Sequence, residues 1–252
     1  MSLSVILAVA VFFISLLLTM VGLGGGLIFS PLFIILGFAK AEAASASLFL
    51  NLIAAASASF TYSQKKMVDF SLSIPLILSS SLAAPVGSLV NSRIDLRPFM
   101  LLMVGVLALA GTRMLMPPPP EIKGAAIPPA QKIAGGLVIG GCIGLMGGLL
   151  GIGGGVFIVP LLIYGLKTPT KIAAASSTFI VCFSSLAGFL GYAILEKINW
   201  WFILPAAAAS LAGGQAGARI MSTRLKAKRI RFIFSLILFA LCAKLVHQTF
   251  FS

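Results

Sequence analysis

Two short stretches carry the residues best suited to chemistry. Val21-Gly22-Leu23-Gly24-Gly25-Gly26-Leu27-Ile28-Phe29-Ser30-Pro31 and Leu150-Gly151-Ile152-Gly153-Gly154-Gly155-Val156-Phe157-Ile158-Val159-Pro160 share a GxGGG-x4-P pattern at a constant offset of 129. Four glycines in five positions disfavour a regular helix, at about 1 kcal/mol each relative to alanine. A proline soon afterwards suits only the early turns of a new helix. The pattern therefore predicts a helix that breaks at the glycines and restarts as a short one. The N–H groups of a restarting helix, at its positive dipole end, suit an anion. Close packing of helices by small residues is the competing reading. Two copies at corresponding positions, each opening a short segment, favour a binding site. A nucleotide-binding loop is excluded, because no strand, Walker lysine or ribose-binding acid accompanies the glycines.

The next matched stretches, Ala43–Asn51 and Ala173–Phe179, are rich in small hydroxyl residues. Ser45, Ser47 and Asn51, with Ser176, Ser177 and Thr178, could donate hydrogen bonds to an oxyanion. Packing and back-bonding within the helix would explain the hydroxyls equally well, whereas a buried Asn51 amide needs partners. The five acids, Glu42, Asp69, Asp95, Glu121 and Glu196, all lie near segment ends or in the linker. A buried carboxylate relay of the kind found in proton pumps is therefore not evident, which argues against a cation pump. Cys142, Cys182 and Cys242 sit in apolar runs without a CxxC, and the lone His247 cannot make a metal site. No nucleophile set or HExxH motif is present, so no catalytic residue, metal or cofactor is expected.

These residues need elements to hold them, and composition says which. Of 252 residues, 60% are hydrophobic and 9% charged, far from a soluble domain. Apolar runs at 3–20, 24–38, 43–63, 70–90, 98–116, 132–150, 153–166, 171–195, 199–221 and 230–250 predict ten helical segments. The runs at 24–38 and 153–166 reach only about 20–23 Å at 1.5 Å per residue, short of a ~30 Å hydrocarbon core, and read as broken or re-entrant helices. The N-terminus lacks a basic leader pattern, so the first run is expected to stay as a helix. Trp200 and Trp201 open the ninth run as interfacial anchors.

Pro117–Pro120 and the residues up to 131 form a linker between two halves, residues 1–116 and 132–252. The halves match beyond the glycines: Ser47, Phe49, Tyr62, Pro75, Ser80 and Gly87 recur as Ser177, Phe179, Tyr192, Pro205, Ser210 and Gly217 at an offset of 130. The expected fold is thus an all-α polytopic membrane protein of two homologous halves. The net charge of +13 would suggest nucleic acid in a soluble chain. Here it reads as the positive-inside signal together with anionic lipid headgroups, and no nucleic-acid partner is expected. If all ten segments span, thirteen of the eighteen Lys and Arg residues fall on one side, which becomes the cytoplasm, and the repeats are inverted. If the two short segments do not cross, eight spans remain, the split is 11 against 7, and the repeats are parallel. The inverted version is preferred.

The duplicated glycine pattern, the Ala/Ser-rich stretches after it and the two-half layout resemble the TauE/SafE, or sulfite exporter, family over essentially the whole chain. That resemblance implies a multi-pass protein of the bacterial inner membrane that transports sulfur-containing anions such as sulfite, thiosulfate or organosulfonates. Members are described with fewer than ten spans, nearer the eight-span count. Together the readings give a secondary transporter with one central anion site. Gly24, Gly25, Gly26, Gly153, Gly154 and Gly155 would present N–H groups, Pro31 and Pro160 would fix the short helices, and Ser47, Asn51, Ser177 and Thr178 would complete the shell. H+ or Na+ would be the coupling ion, and a homo-oligomer is compatible with the sequence. A non-transporting scaffold and an anion channel are the alternatives.

Overall fold

The computed structural model describes residues 3–23, 26–90, 104–105, 108–109, 111–117, 129–150, 154–193 and 200–251. Among them all regular structure is helical: α1 (Leu3–Val21), α2 (Gly26–Ile35), α3 (Lys40–Gln64), α4 (Phe70–Val90), α5 (Pro129–Leu150), α6 (Gly155–Pro160), α7 (Thr170–Ala193), α8 (Trp200–Thr223) and α9 (Ala227–Phe251). A further helical stretch covers 111–115. Most of the expected segment at 98–116, and most of the linker, lie outside the described residues. α5 begins at Pro129, inside the stretch expected to be linker. A proline at the first helical position gives up no ladder hydrogen bond, since that N–H would have had no partner.

Three helices are long and apolar enough to cross a membrane by length and composition, over Glu42–Gln64, Phe70–Gly87 and Thr170–Tyr192. The molecule is apolar on its outside, where Phe60, Leu82, Val138, Phe232 and Leu236 are more than half exposed. Among the described residues the buried polar ones are hydroxyls and one amide, Asn51. That distribution suits a lipid surround, in which helices gain little by burying apolar faces and associate through close packing and hydrogen bonds.

The helices pair in a pattern that crosses between the two halves. α1 packs on α8, and α4 packs on α5; α3 and α7 pack on each other, α3 also on α8, and α7 also on α4. The short α2 lies on α3, and α6 lies on α7. Exchanging α1 with α5, α2 with α6, α3 with α7 and α4 with α8 leaves every one of these pairings intact. Glycines set the spacing: the α-carbons of Gly140, Gly144 and Gly148 on α5 press on the backbone of Leu76, Ser80 and Ala84 on α4. Gly213 and Gly217 on α8 do the same against Phe12 and Leu16 of α1. Hydroxyls tie the second seam, where Ser15 and Ser210 lie 2.9 Å apart and the Ser210 hydroxyl donates to the Leu50 carbonyl at 2.8 Å.

One end of the bundle collects positive charge. Lys65, just after α3, donates to Ser222 Oγ near the end of α8 at 2.8 Å, and Lys171 in the first turn of α7 lies 3.5 Å from the Ser222 carbonyl. Arg231 of α9 reaches Thr170 Oγ1 at 3.4 Å. The Arg113 guanidinium stacks 5.2 Å from the Tyr164 ring, whose hydroxyl donates to the Arg113 carbonyl. The ends of α3 and α8, the starts of α7 and α9, and the stretch at 111–115 therefore meet at a single face.

Candidate functional site

The first glycine motif stops α1. Gly22 adopts a left-handed φ of 88°, the Leu23 N–H donates to the Leu18 carbonyl at 2.9 Å and the Gly22 N–H to Thr19 at 3.3 Å. This is the Schellman arrangement that satisfies a helix's last carbonyls. The chain then restarts at Gly26 as α2. In the second motif Gly154 takes φ 77° and α6 begins at Gly155. Gly24, Gly25 and Gly153 lie outside the described residues. Pro31 falls within α2. Pro160 is the last residue of α6, after which the helix widens into a π-helical turn over Leu161–Gly165. A ring that removes one ladder donor and crowds the preceding turn accounts for that widening.

The two breaks meet inside the bundle. A Cβ added to Gly22 would stand 2.7 Å from Cα and O of Ala174 on α7 and 3.0 Å from Val159 on α6. One added to Gly155 would stand 2.9 Å from the Leu23 carbonyl and 2.9 Å from Val181 on α7. The Ser177 hydroxyl, fully buried, donates to the Gly22 carbonyl at 2.7 Å. The turn after α1 is thus clamped between α6 and α7. The first N–H groups of a helix have no partner within it, and α6 opens beside this turn with Gly155. The glycines also perform the packing role, since Gly22, Gly154 and Gly155 have no room for a side chain.

The family model described as Sulfite exporter TauE/SafE matches residues 7–245. The chain belongs to this family. It is similar to the probable membrane transporter protein YunE of Bacillus subtilis (strain 168), at 25% identity over 93% of this chain and 94% of the relative. A probable membrane transporter protein of Xylella fastidiosa (strain Temecula1 / ATCC 700964) is 27% identical over 93% and 92%. The probable membrane transporter protein y4hK of Sinorhizobium fredii (strain NBRC 101917 / NGR234) is 27% identical over 95% and 97%. No solved structure matches the chain.

Within this family frame, the side chains expected to complete a shell divide. Asn51, fully buried on α3, donates from Nδ2 to Ser185 Oγ of α7 at 2.8 Å. Ser47 is buried one turn earlier on α3. Ser177 serves the Gly22 turn. The Thr178 hydroxyl bonds its own helix at the Ala174 carbonyl, 2.9 Å away. Ser176 accepts the Asp69 N–H at 2.9 Å and so fixes the entry to α4. The Ser45 hydroxyl is buried without a partner.

Two contacts were not anticipated. The Tyr62 hydroxyl donates to the Thr19 carbonyl at 2.8 Å and the Tyr192 hydroxyl to the Gly148 carbonyl at 3.3 Å. Both tyrosines and both acceptors stand at the repeat offset, which was the available signal. Ser210 carried the same signal as the repeat counterpart of Ser80, but Ser15 and Ser185 left no comparable trace, because one more serine in an apolar helix does not announce which neighbour it will face.

Proposed function

We propose that this chain is a secondary transporter of small sulfur-containing anions, of the class of sulfite, thiosulfate or organosulfonates, working by alternating access. The observation that carries the reading is the crossing of the two glycine breaks, where Gly22–Leu23 meets Gly155 beside α7. Paired broken helices whose N-termini face a central site are the arrangement by which many secondary transporters hold an anionic group. Gly24–Gly26 and Gly153–Gly155 would supply N–H donors, with Ser47 and Asn51 on α3, while Ser177 on α7 holds the Gly22 turn.

We further infer ten crossings and inverted repeats. Support comes from the Lys65–Ser222 hydrogen bond, because an eight-span path would put these residues on opposite membrane faces. The helix pairings that survive exchange of the halves support the duplication. With the basic end in the cytoplasm, one half would rock against the other, driven by an H+ or Na+ gradient.

Purified protein in liposomes tests the reading. Labelled sulfite or thiosulfate should enter saturably and exchange against internal substrate, while Gly25→Val should carry no flux, and Gly154→Val, whose Cβ would stand 2.5 Å from Ile143, should lose flux together with folded yield. Wild-type flux in both variants would refute the site. The tight contacts at Gly154 and Gly155 favour one competitor, a non-transporting scaffold, for which the wild-type protein would show no flux. Non-saturating flux would indicate a channel.

A further inference from the structure

We propose that Lys65 and Lys171, converging on Ser222, form an oxyanion-capture site at the basic mouth of the α3–α7 seam. The proposal deepens the transport reading and rests on it for its role, though not for its existence. Two ammonium groups lie at 2.8 and 3.5 Å from atoms of one serine, so two like charges are held near each other and an anion between them would be attracted by both.

No carboxylate of the described residues is placed to neutralise the pair. Asp69 is committed to the first turn of α4, where its Oδ1 accepts from the Ser71 hydroxyl at 2.7 Å and the Leu72 N–H at 3.3 Å. Glu42 stands in the first turn of α3, at the opposite end of that helix from Lys65. Lys171 itself sits in the first turn of α7, which holds no acid, and a cation there adds to the positive end of the dipole instead of offsetting it. Arg231, bonded to Thr170, brings a third cation to the same turn.

The location selects a soluble solute over a lipid headgroup. Of the three helices long enough to span, α3 and α7 are more enclosed than α4, 67% and 61% buried against 39%, so the two lysines stand at the ends of inner helices instead of lipid-facing ones. Ser177 lies six residues beyond Lys171, about 9 Å along the helix axis. An oxyanion held between the lysines would thus wait one step from the Gly22 turn. A fixed positive mouth raises the local concentration of an anion and its rate of arrival, an effect that salt screens.

Two measurements on the full chain test this. In detergent, labelling of Lys65 and Lys171 by an amine-reactive reagent should slow several-fold with thiosulfate but not with chloride at equal ionic strength. In liposomes of one orientation, the double variant Lys65→Gln/Lys171→Gln should raise the thiosulfate KM from the basic face by about five- to tenfold at low salt. kcat, and KM from the other face, should hold, and the effect should fade as the Debye length drops toward about 3 Å near 1 M salt. Labelling indifferent to thiosulfate overturns the site, as does protection that requires anionic phosphatidylglycerol, which would assign the pair to lipid. An equal KM rise from both faces also overturns it, as a structural effect. Protection by thiosulfate without wild-type flux upholds the anion site and overturns transport.

Discussion

Gly22 and Gly37 make a matched pair that separates backbone strain from crowding. Both hold left-handed φ angles, 88° and 90°, and each follows the end of a helix. They differ in surroundings: a Cβ at Gly37 meets nothing within 4 Å, while one at Gly22 meets the Ala174 backbone at 2.7 Å and Val159 at 3.0 Å. Alanine at either position should lose about 1–2 kcal/mol to the left-handed conformation. At Gly22 a further ~1–3 kcal/mol is expected, because backbone atoms of α7 cannot rotate away and the two helices must separate. For a chain of this size about 1 kcal/mol moves Tm by roughly 2–4 °C. Gly37→Ala should therefore melt roughly 2–8 °C below wild type, and Gly22→Ala about 2–12 °C below Gly37→Ala. Thermal unfolding in detergent, read by the monodisperse fraction after heating, measures both. Equal melting of the two variants would refute the clamping of the α1–α2 turn against α7. So would full thiosulfate flux in Gly22→Ala, if that flux depends on the crossing.

Gly148→Ala should reduce the folded yield in membranes sharply, since its Cβ would overlap the Ala84 carbonyl of α4. Gly141→Ala on the same helix, with open space around it, should match wild type; comparable yields would sink the α4–α5 packing. Ser177→Ala leaves the buried Gly22 carbonyl without its 2.7 Å donor and should destabilise by about 1–3 kcal/mol. Thr178→Val removes only a bond within its own helix and should lower Tm by less; the reverse order in a melting experiment would contradict the roles assigned to the two hydroxyls.

The helical segments were legible because each apolar run had to be long enough to matter and bounded by charge or glycine. The expected run 43–63 became Lys40–Gln64 and 70–90 became Phe70–Val90, while the short run at 24–38 appears as Gly26–Ile35. The glycine breaks were legible as breaks, because φ angles near 80–90° leave glycine as the natural choice. The candidate shell was legible only in part. Asn51 and Ser177 do face neighbouring elements, but Thr178 belongs to its own helix, and no spacing rule distinguishes a serine that crosses an interface from a threonine that bonds back.

The sequence by itself determined the helical class, the short helices at the glycine motifs and the crowding of basic residues at certain segment ends. Those follow from hydropathy, from glycine's conformational freedom and from the positioning of charge outside hydrocarbon. Tertiary structure alone decided that α1 seeks α8 and α4 seeks α5, that the Gly22–Leu23 turn meets Gly155 beside α7, and that Lys65 and Lys171 share Ser222. The reason is that a helix bound for lipid is apolar on every side, so its periodicity does not say which face meets protein. That choice is made by the fit of glycine against backbone and by hydroxyl and amide partners, and both appear only when the helices are assembled.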